Sequence, residues 1–194
     1  MTLIAVEGID GAGKTTLAAG LARARPELVV LREPGGALVS ERIRELVKDP
    51  ALHVDPRAEA LLYAAARAQL VAEQLSPLLR DGATVVLDRY VDSSLAYQGA
   101  GRGLGVEAIA ALNAFATGGL AADLTFYLRV PPEVGAARRD GDDRLEQAGE
   151  AFFARVVEAY DALAAATDRY VVLDATQPPD AVLAAALKHL QSPV

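Results

Sequence analysis

The chain has 194 residues, 52% hydrophobic, 23% charged and 5% aromatic, with a formal net charge of −7. It has no cysteine, which excludes disulfide scaffolds, thiolate zinc sites and cysteine nucleophiles, and its two histidines, His53 and His189, lie too far apart to suggest a multi-histidine metal centre. The acidity argues against nucleic acid as a partner, since a polyanion is repelled.

A chain of this length suits one domain and buries roughly 70% of its unfolded surface without cross-links. The start, Met1-Thr2-Leu3-Ile4-Ala5-Val6-Glu7, lacks the basic and long apolar regions of a signal peptide. No stretch approaches the ~20 apolar residues of a membrane span. The expectation is a cytoplasmic protein with no membrane partner.

In chain order, the short apolar run 3–7 predicts a buried strand ended by glycine, and 15–25 a helix closed by Pro26. Residues 28–32 predict a second strand, followed by a loop at Glu33-Pro34-Gly35-Gly36. Helices are predicted at 38–48 and 57–80, the latter with Pro77 kinking or splitting its last turn. A third strand at 84–87 ends on Asp88-Arg89-Tyr90. Residues 106–115 predict a helix, 124–130 a fourth strand, and Pro131-Pro132 a helix start. After the polar segment 138–146 come a helix at 148–167, a strand at 170–173 and a helix at 179–190. The alternation predicts an α/β fold, a five-stranded parallel sheet with helices on both faces, and a ligand site beyond the C-terminal strand ends.

One motif carries specific chemistry. Gly8-Ile9-Asp10-Gly11-Ala12-Gly13-Lys14-Thr15 matches G-x-x-x-x-G-K-[ST] between a predicted strand and helix. Glycines let the backbone wrap an anion with its N–H groups turned inward, and the following helix adds its positive end. Lys14 supplies a full charge to the β and γ phosphates, and Thr15 is a Mg²⁺ ligand candidate. The loop identifies a nucleoside triphosphate site but no particular reaction.

The other strand ends supply what a kinase for a small phosphorylated acceptor needs. Asp88 at a strand end is placed to anchor Mg²⁺, directly or through water, and Arg89 to bridge the two phosphates. Tyr63 and Arg67, at i and i+4 of one helix, share a face that can stack on and donate to a base. Arg138, Arg139 and Arg144, interleaved with Asp140, Asp142 and Asp143, read either as a solvated loop or as a lid that brings positive charge to the transferred group and excludes water.

Taken together these segments resemble one family, thymidylate kinase, which phosphorylates dTMP with ATP. The resemblance covers nearly the whole chain: 7–16, Arg32-Glu33-Pro34-Gly35-Gly36, 58–67, 88–99, 123–128 and Asp174-Ala175-Thr176-Gln177-Pro178. It implies a single P-loop kinase domain over 1–194 with a lid around 136–147, and MgATP and dTMP as substrates. Gly8, Ile9, Asp10, Gly11, Ala12, Gly13, Lys14, Thr15, Thr16 and Gln177 would bind ATP. Asp10 would lie near the 3′-hydroxyl, Glu33 at the sugar and metal region, and Arg44 and Arg89 on the dTMP phosphate. Tyr63 would stack on thymine and Arg67 donate to a thymine carbonyl. Ser94 and Gln98 would give polar contacts to the base, and Tyr97 would crowd a 2′-hydroxyl.

Some members carry an arginine at the position of Gly11 and others in the lid; this chain resembles the lid-arginine type, with Lys14, Arg89, Arg138, Arg139 and Arg144 as catalytic charges. It departs from the family in having Tyr63 where phenylalanine is usual, Ala122 before Asp123 where proline is frequent, and a shorter lid. Relatives form homodimers, and the 57–80 helix is a candidate contributor. The competing readings are another (deoxy)nucleotide kinase, a P-loop GTPase switch and a relict nucleotide site. The switch needs a guanine-specifying N-K-x-D, whereas Asn113, the only asparagine, is followed by Ala-Phe-Ala.

Overall fold

The computed structural model describes residues 2–138, 144–145 and 148–190. Five parallel strands form one sheet in the order β2-β3-β1-β4-β5: β1 Thr2–Glu7, β2 Val29–Arg32, β3 Thr84–Asp88, β4 Leu124–Arg129 and β5 Tyr170–Asp174. Because β3 is inserted between β1 and β2, Val6 pairs with Asp88, and the end of β3 lies beside the turn that follows β1.

The sheet is covered on both faces, which is why its strands read as unbroken apolar runs. Along β1, Ile4 and Val6 face a core completed by Leu17, Leu21, Phe126, Phe153 and Val156. Leu3 and Ala5, on the opposite face, meet Leu70, Leu75, Val85 and Leu87. The helices are α1 Lys14–Ala24, α2 Leu38–Lys48, α3 Pro56–Leu70, α4 Ser76–Arg80, α5 Val91–Ser94, α6 Val106–Thr117, α7 Pro132–Ala137, α8 Glu150–Ala165 and α9 Pro179–Leu190. No helix among the described residues is long and apolar enough to cross a membrane.

The expected 57–80 helix is a composite: α3 runs into a π-helical turn at Val71–Leu75 and then α4. The extra residue in that turn sits just before Pro77, which has no N–H to offer an α-helical ladder. A second π-helical stretch, Leu95–Gly101, continues α5 and was not expected as a helix at all. It is buried on almost every side, so it shows none of the apolar–polar alternation that marks a surface helix.

Candidate active site

After Glu7 the chain turns through Gly8, Gly11 and Gly13, whose φ values are 141°, 82° and 91°. L side chains rarely adopt this region, so the loop needs glycine at these positions. Lys14 Nζ donates to Ile9 O at 2.8 Å, folding the ammonium over the loop. Burial, reinforced by the neighbouring Arg89, pushes the Lys14 ammonium down to about 8 against the pull of Asp10, Asp88 and Glu7. Thr15 Oγ1 donates to Asp88 Oδ2 at 2.6 Å, joining the loop to the end of β3.

The loop also meets α7 backbone to backbone. A Cβ on Gly11 would lie 2.3 Å from the Gly135 carbonyl oxygen, and one on Gly135 would lie 2.6 Å from Ile9 Cδ1. A side chain at position 11, arginine included, does not fit this packing. Gly135→Ala is expected to cost about 1–3 kcal/mol by overpacking. It should raise the KM for ATP, and thermal melts with ATP kinetics would check both.

Arg89 is the only non-glycine residue with positive φ among those described, at 71°. Such backbone costs on the order of 1–3 kcal/mol and persists only where surroundings enforce it. The enforcement comes from Glu7, fully buried at the end of β1. Its carboxylate accepts from Tyr90 N (2.8 Å), Ser93 N (3.3 Å), Ser93 Oγ (2.6 Å) and Tyr160 OH (2.8 Å). Burial, with Asp92 nearby, pushes Glu7 up to about 7, against the hydrogen bonds from Ser93 and Tyr160 and the charge of Arg89.

The Arg89 guanidinium donates to Gly8 O (3.1 Å), Ser93 Oγ (3.0 Å), Asp10 Oδ1 and Tyr97 OH (3.2 Å). Tyr97 OH in turn donates to Asp10 Oδ2 at 2.9 Å and accepts from Asp10 N at 3.1 Å. Burial alone would raise the Asp10 pKa. The charges of Arg89 and Lys14 outweigh it and hold the carboxyl well below the usual carboxylate range. Edge contacts with Phe152, Phe153 and Tyr160 fix the Tyr97 ring.

On the other side of the cleft, Arg67 is almost wholly committed. Nε donates to Glu33 Oε2 at 2.6 Å, one terminal nitrogen to Ser94 Oγ (2.9 Å) and to Asn113 Oδ1, and the other to Tyr90 O (2.9 Å). A guanidinium has five N–H donors, so one is left. Glu33 Oε1 is buried with no partner among the described residues. Burial raises the Glu33 pKa, offset in part by Arg67. Asn113, which lacks the context of a guanine motif, is thus a brace for Arg67. Nothing local in its sequence marks that role, nor the clamping role of Glu7.

The phosphate loop, Arg89 and Arg67 line one cavity of about 1260 Å³. Asp10 to Thr16, Glu33, Arg44, Tyr63, Arg67, Asp88, Arg89, Ser94, Tyr97, Gln98, Arg138 and Gln177 all reach it, and so does Lys48, which the sequence did not single out. Arg44 donates to Pro34 O at 2.9 Å. Arg138 donates to Ala175 O at 2.8 Å, beside Gln177, whose amide donates to Asp174 Oδ2 at 3.0 Å. Gly8 and Ile9 shape the loop without lining the cavity. Arg144 does not line it either; its guanidinium lies 2.6 Å from the Glu59 carboxylate. Arg139 lies outside the described residues, as does much of the expected lid. Among the described residues no cluster of three or more His, Asp or Glu side chains is built to hold a metal on its own.

The thymidylate kinase family model matches residues 6–186. The chain is 50% identical over 198 residues to a thymidylate kinase of Latilactobacillus sakei, covering 96% of this chain and 92% of that one. It is 51% identical over 185 residues to a thymidylate kinase of Deinococcus radiodurans, covering 91% and 90%. Its fold superposes on the crystal structure of thymidylate kinase from Ehrlichia chaffeensis with a TM-score of 0.80, at 30% identity and 98% coverage of both chains. With the phosphate loop, the strand-end Asp88 and the Arg67 pocket all in one cleft, the chain belongs to the thymidylate kinase family, a family of nucleoside monophosphate kinases.

Proposed function

We propose that the cavity holds ATP and dTMP on opposite sides of the phosphate loop and passes the γ-phosphoryl group between them by in-line displacement, giving ADP and dTDP. One observation carries this reading: a single cavity joins a triphosphate loop to a buried, braced arginine beside an aromatic ring. By strand order, β2 and β3 lie on one side of β1, and β4 and β5 on the other. Tyr63, Arg67, Ser94 and Gln98 therefore serve the thymine, while Gln177 and Arg138 border the ATP side.

The acceptor phosphate needs no general base, because its second pKa is about 6 and it is ionised near neutral pH. Catalysis is positioning and charge. Lys14 meets the β and γ phosphates, whose negative charge favours its protonated form. Arg89 and Arg44 hold the acceptor phosphate, and Asp10, fixed by Arg89 and Tyr97, takes the sugar hydroxyl. Tyr97, locked among three rings, leaves little room for a 2′-hydroxyl. Arg138 and Arg139 are the lid arginines assigned to the transferred group.

Mg²⁺ is the metal this donor set fits. It typically uses one or two protein oxygens, waters and substrate phosphates, and Thr15 Oγ1 and Asp88 Oδ2 form such a pair. Held there by Thr15 and Asp88, it would supply positive charge against the β and γ phosphates. Asp88→Asn is expected to weaken activity or metal affinity about 10–100-fold, and chelation with EDTA to abolish turnover. A homodimer fits the apolar side chains left open on α2, α3 and α6: Leu46, Leu61 and Phe115, the last 89% exposed.

The test is phosphoryl transfer from MgATP to dTMP, dUMP, dCMP, UMP, GMP or AMP, followed by ADP release. A strong preference for dTMP is the expected result. Preference for another acceptor would overturn the assignment of Tyr63, Arg67 and Tyr97. Full turnover in EDTA would remove the metal from the reaction.

A further inference from the structure

Glu59 has no part in the machinery above. It sits in the first turn of α3, fully buried, yet three side chains from two distant segments converge on its carboxylate. Gln98 Nε2 donates to Oε1 at 2.9 Å. Arg102 donates from Nε to Oε1 at 3.3 Å and from a terminal nitrogen to Oε2 at 3.1 Å, with its guanidinium over the Phe152 ring. Arg144 lies 2.6 Å from Oε2, and its own backbone N and Nε donate to Lys48 O and Val47 O, both at 3.2 Å.

An ionised carboxylate can only accept hydrogen bonds, whereas an amide has one donating and one accepting end. Gln98 therefore has to turn its NH₂ toward Glu59. Its carbonyl oxygen is left on the other side. Gln98 lines the cavity, and the end of its amide that meets Glu59 is Nε2 rather than Oε1. Arg67 retains a single N–H for the same pocket. The base region thus offers one acceptor and one donor, and the direction of the acceptor is decided by a residue that never reaches the cavity.

We propose that Glu59 is a positioning residue for base selection: it holds Gln98 with its carbonyl oxygen toward the base, where that oxygen accepts an N3–H. A thymine-type ring carries that hydrogen. A cytosine-type ring presents a bare N3 lone pair against the carbonyl oxygen and an amino group toward the Arg67 donor, so two like groups face each other at each contact. The proposal rests on the reading of this cavity wall as the base pocket.

The experiment compares kcat/KM for dTMP and for 5-methyl-dCMP, which match in size and differ only at N3 and the 4-substituent. The ratio does not depend on how much of the enzyme is folded. Gln98→Met and Glu59→Gln should each lower the dTMP preference by about 10-fold, the worth of one buried hydrogen bond. In both variants the loss should lie mainly in the KM for dTMP. The double variant should lose no more than either single one. Arg102→Met, which removes an ion-pair partner of Glu59 but keeps its bond to Gln98, should lower thermal stability and leave the ratio alone.

If Gln98→Met shifts the ratio and Glu59→Gln does not, Glu59 has no positioning role and the base pocket stands. An unchanged ratio in Gln98→Met overturns the base-pocket reading of Gln98 and the proposal with it. An equal shift in Arg102→Met assigns the effect to packing and also overturns the proposal. Should Glu59→Gln not fold, Glu59→Asp takes its place. It keeps the charge for both arginines, draws the acceptor back from Gln98 by one methylene, and is held to the same ratio.

Discussion

Arg89→Met is expected to lower kcat/KM for dTMP by about 10³-fold or more, the scale set by arginines that neutralise a transferring phosphoryl group. The guanidinium is already oriented by four contacts, to Gly8 O, Ser93 Oγ, Asp10 and Tyr97. Little reorganisation remains for the transition state, which is where such a charge acts most strongly. Methionine keeps the length and removes the charge. It also leaves Asp10 without the main partner that holds it ionised, with Lys14 as the remaining cation. Lysine should rescue poorly, since a point charge cannot reproduce a planar fork with several simultaneous donors. Steady-state kinetics with dTMP binding measured separately would check this. A kcat loss below about 10-fold would remove Arg89 from the reacting centre.

The largest stability effect is expected from Arg67→Met. Its ion pair with Glu33 is buried on both sides, with side-chain exposures of 2% and 3%. Breaking one partner of such a pair typically costs about 3–5 kcal/mol, because the other charge is left uncompensated. Ser94, Asn113 and the Tyr90 carbonyl lose a donor as well. At about 2–4 °C per kcal/mol for a chain of this size, Tm should fall by roughly 6–20 °C. Adding Glu33→Gln should recover part of the loss, since the orphaned charge goes with it. A Tm change within about 2 °C would mean that the pair is not held in the desolvated state described. The surviving fold should also show a raised KM for dTMP, because the one spare N–H is gone.

Much of the frame was legible from local pattern. The strand–glycine–helix context of residues 7–16 marked the phosphate loop because its physics is local: successive N–H groups and glycine backbone need only their own neighbours. The five strands appeared as apolar runs because both sheet faces are covered. The segment 91–101 was not legible as a helix. Its Ser-Ser-Leu-Ala-Tyr-Gln-Gly composition is enclosed by α3, α6 and α8, and a helix without a solvent face has no period to read.

The candidate site divided along the same line. Lys14, Thr15, Asp88 and Arg89 announced themselves at a loop and a strand end. Glu7 reads as the end of an apolar strand, Glu59 as an ordinary helical glutamate, and Asn113 as a lone asparagine on an apolar helix. Each acquires its partners from residues 39 to 153 positions away: Glu7 from Tyr160, Glu59 from Gln98 and Arg144, Asn113 from Arg67. Arg144 is the converse. In the sequence it belongs with Arg138 and Arg139 in one charged run, yet the fold turns it away from the cavity and onto a buried carboxylate.

By itself, then, the sequence determined the phosphate loop, the parallel α/β plan and the family, because these depend on short-range spacing and on periodic burial. Only the tertiary structure decided the direction in which each buried polar group points. That includes which carboxylate holds Arg89 in its strained turn, which donor of Arg67 is left over and which end of Gln98 meets the cavity. A buried donor or acceptor must find a partner wherever the fold supplies one, and that partner comes from whichever segment packs against it, at a distance along the chain that no local pattern encodes.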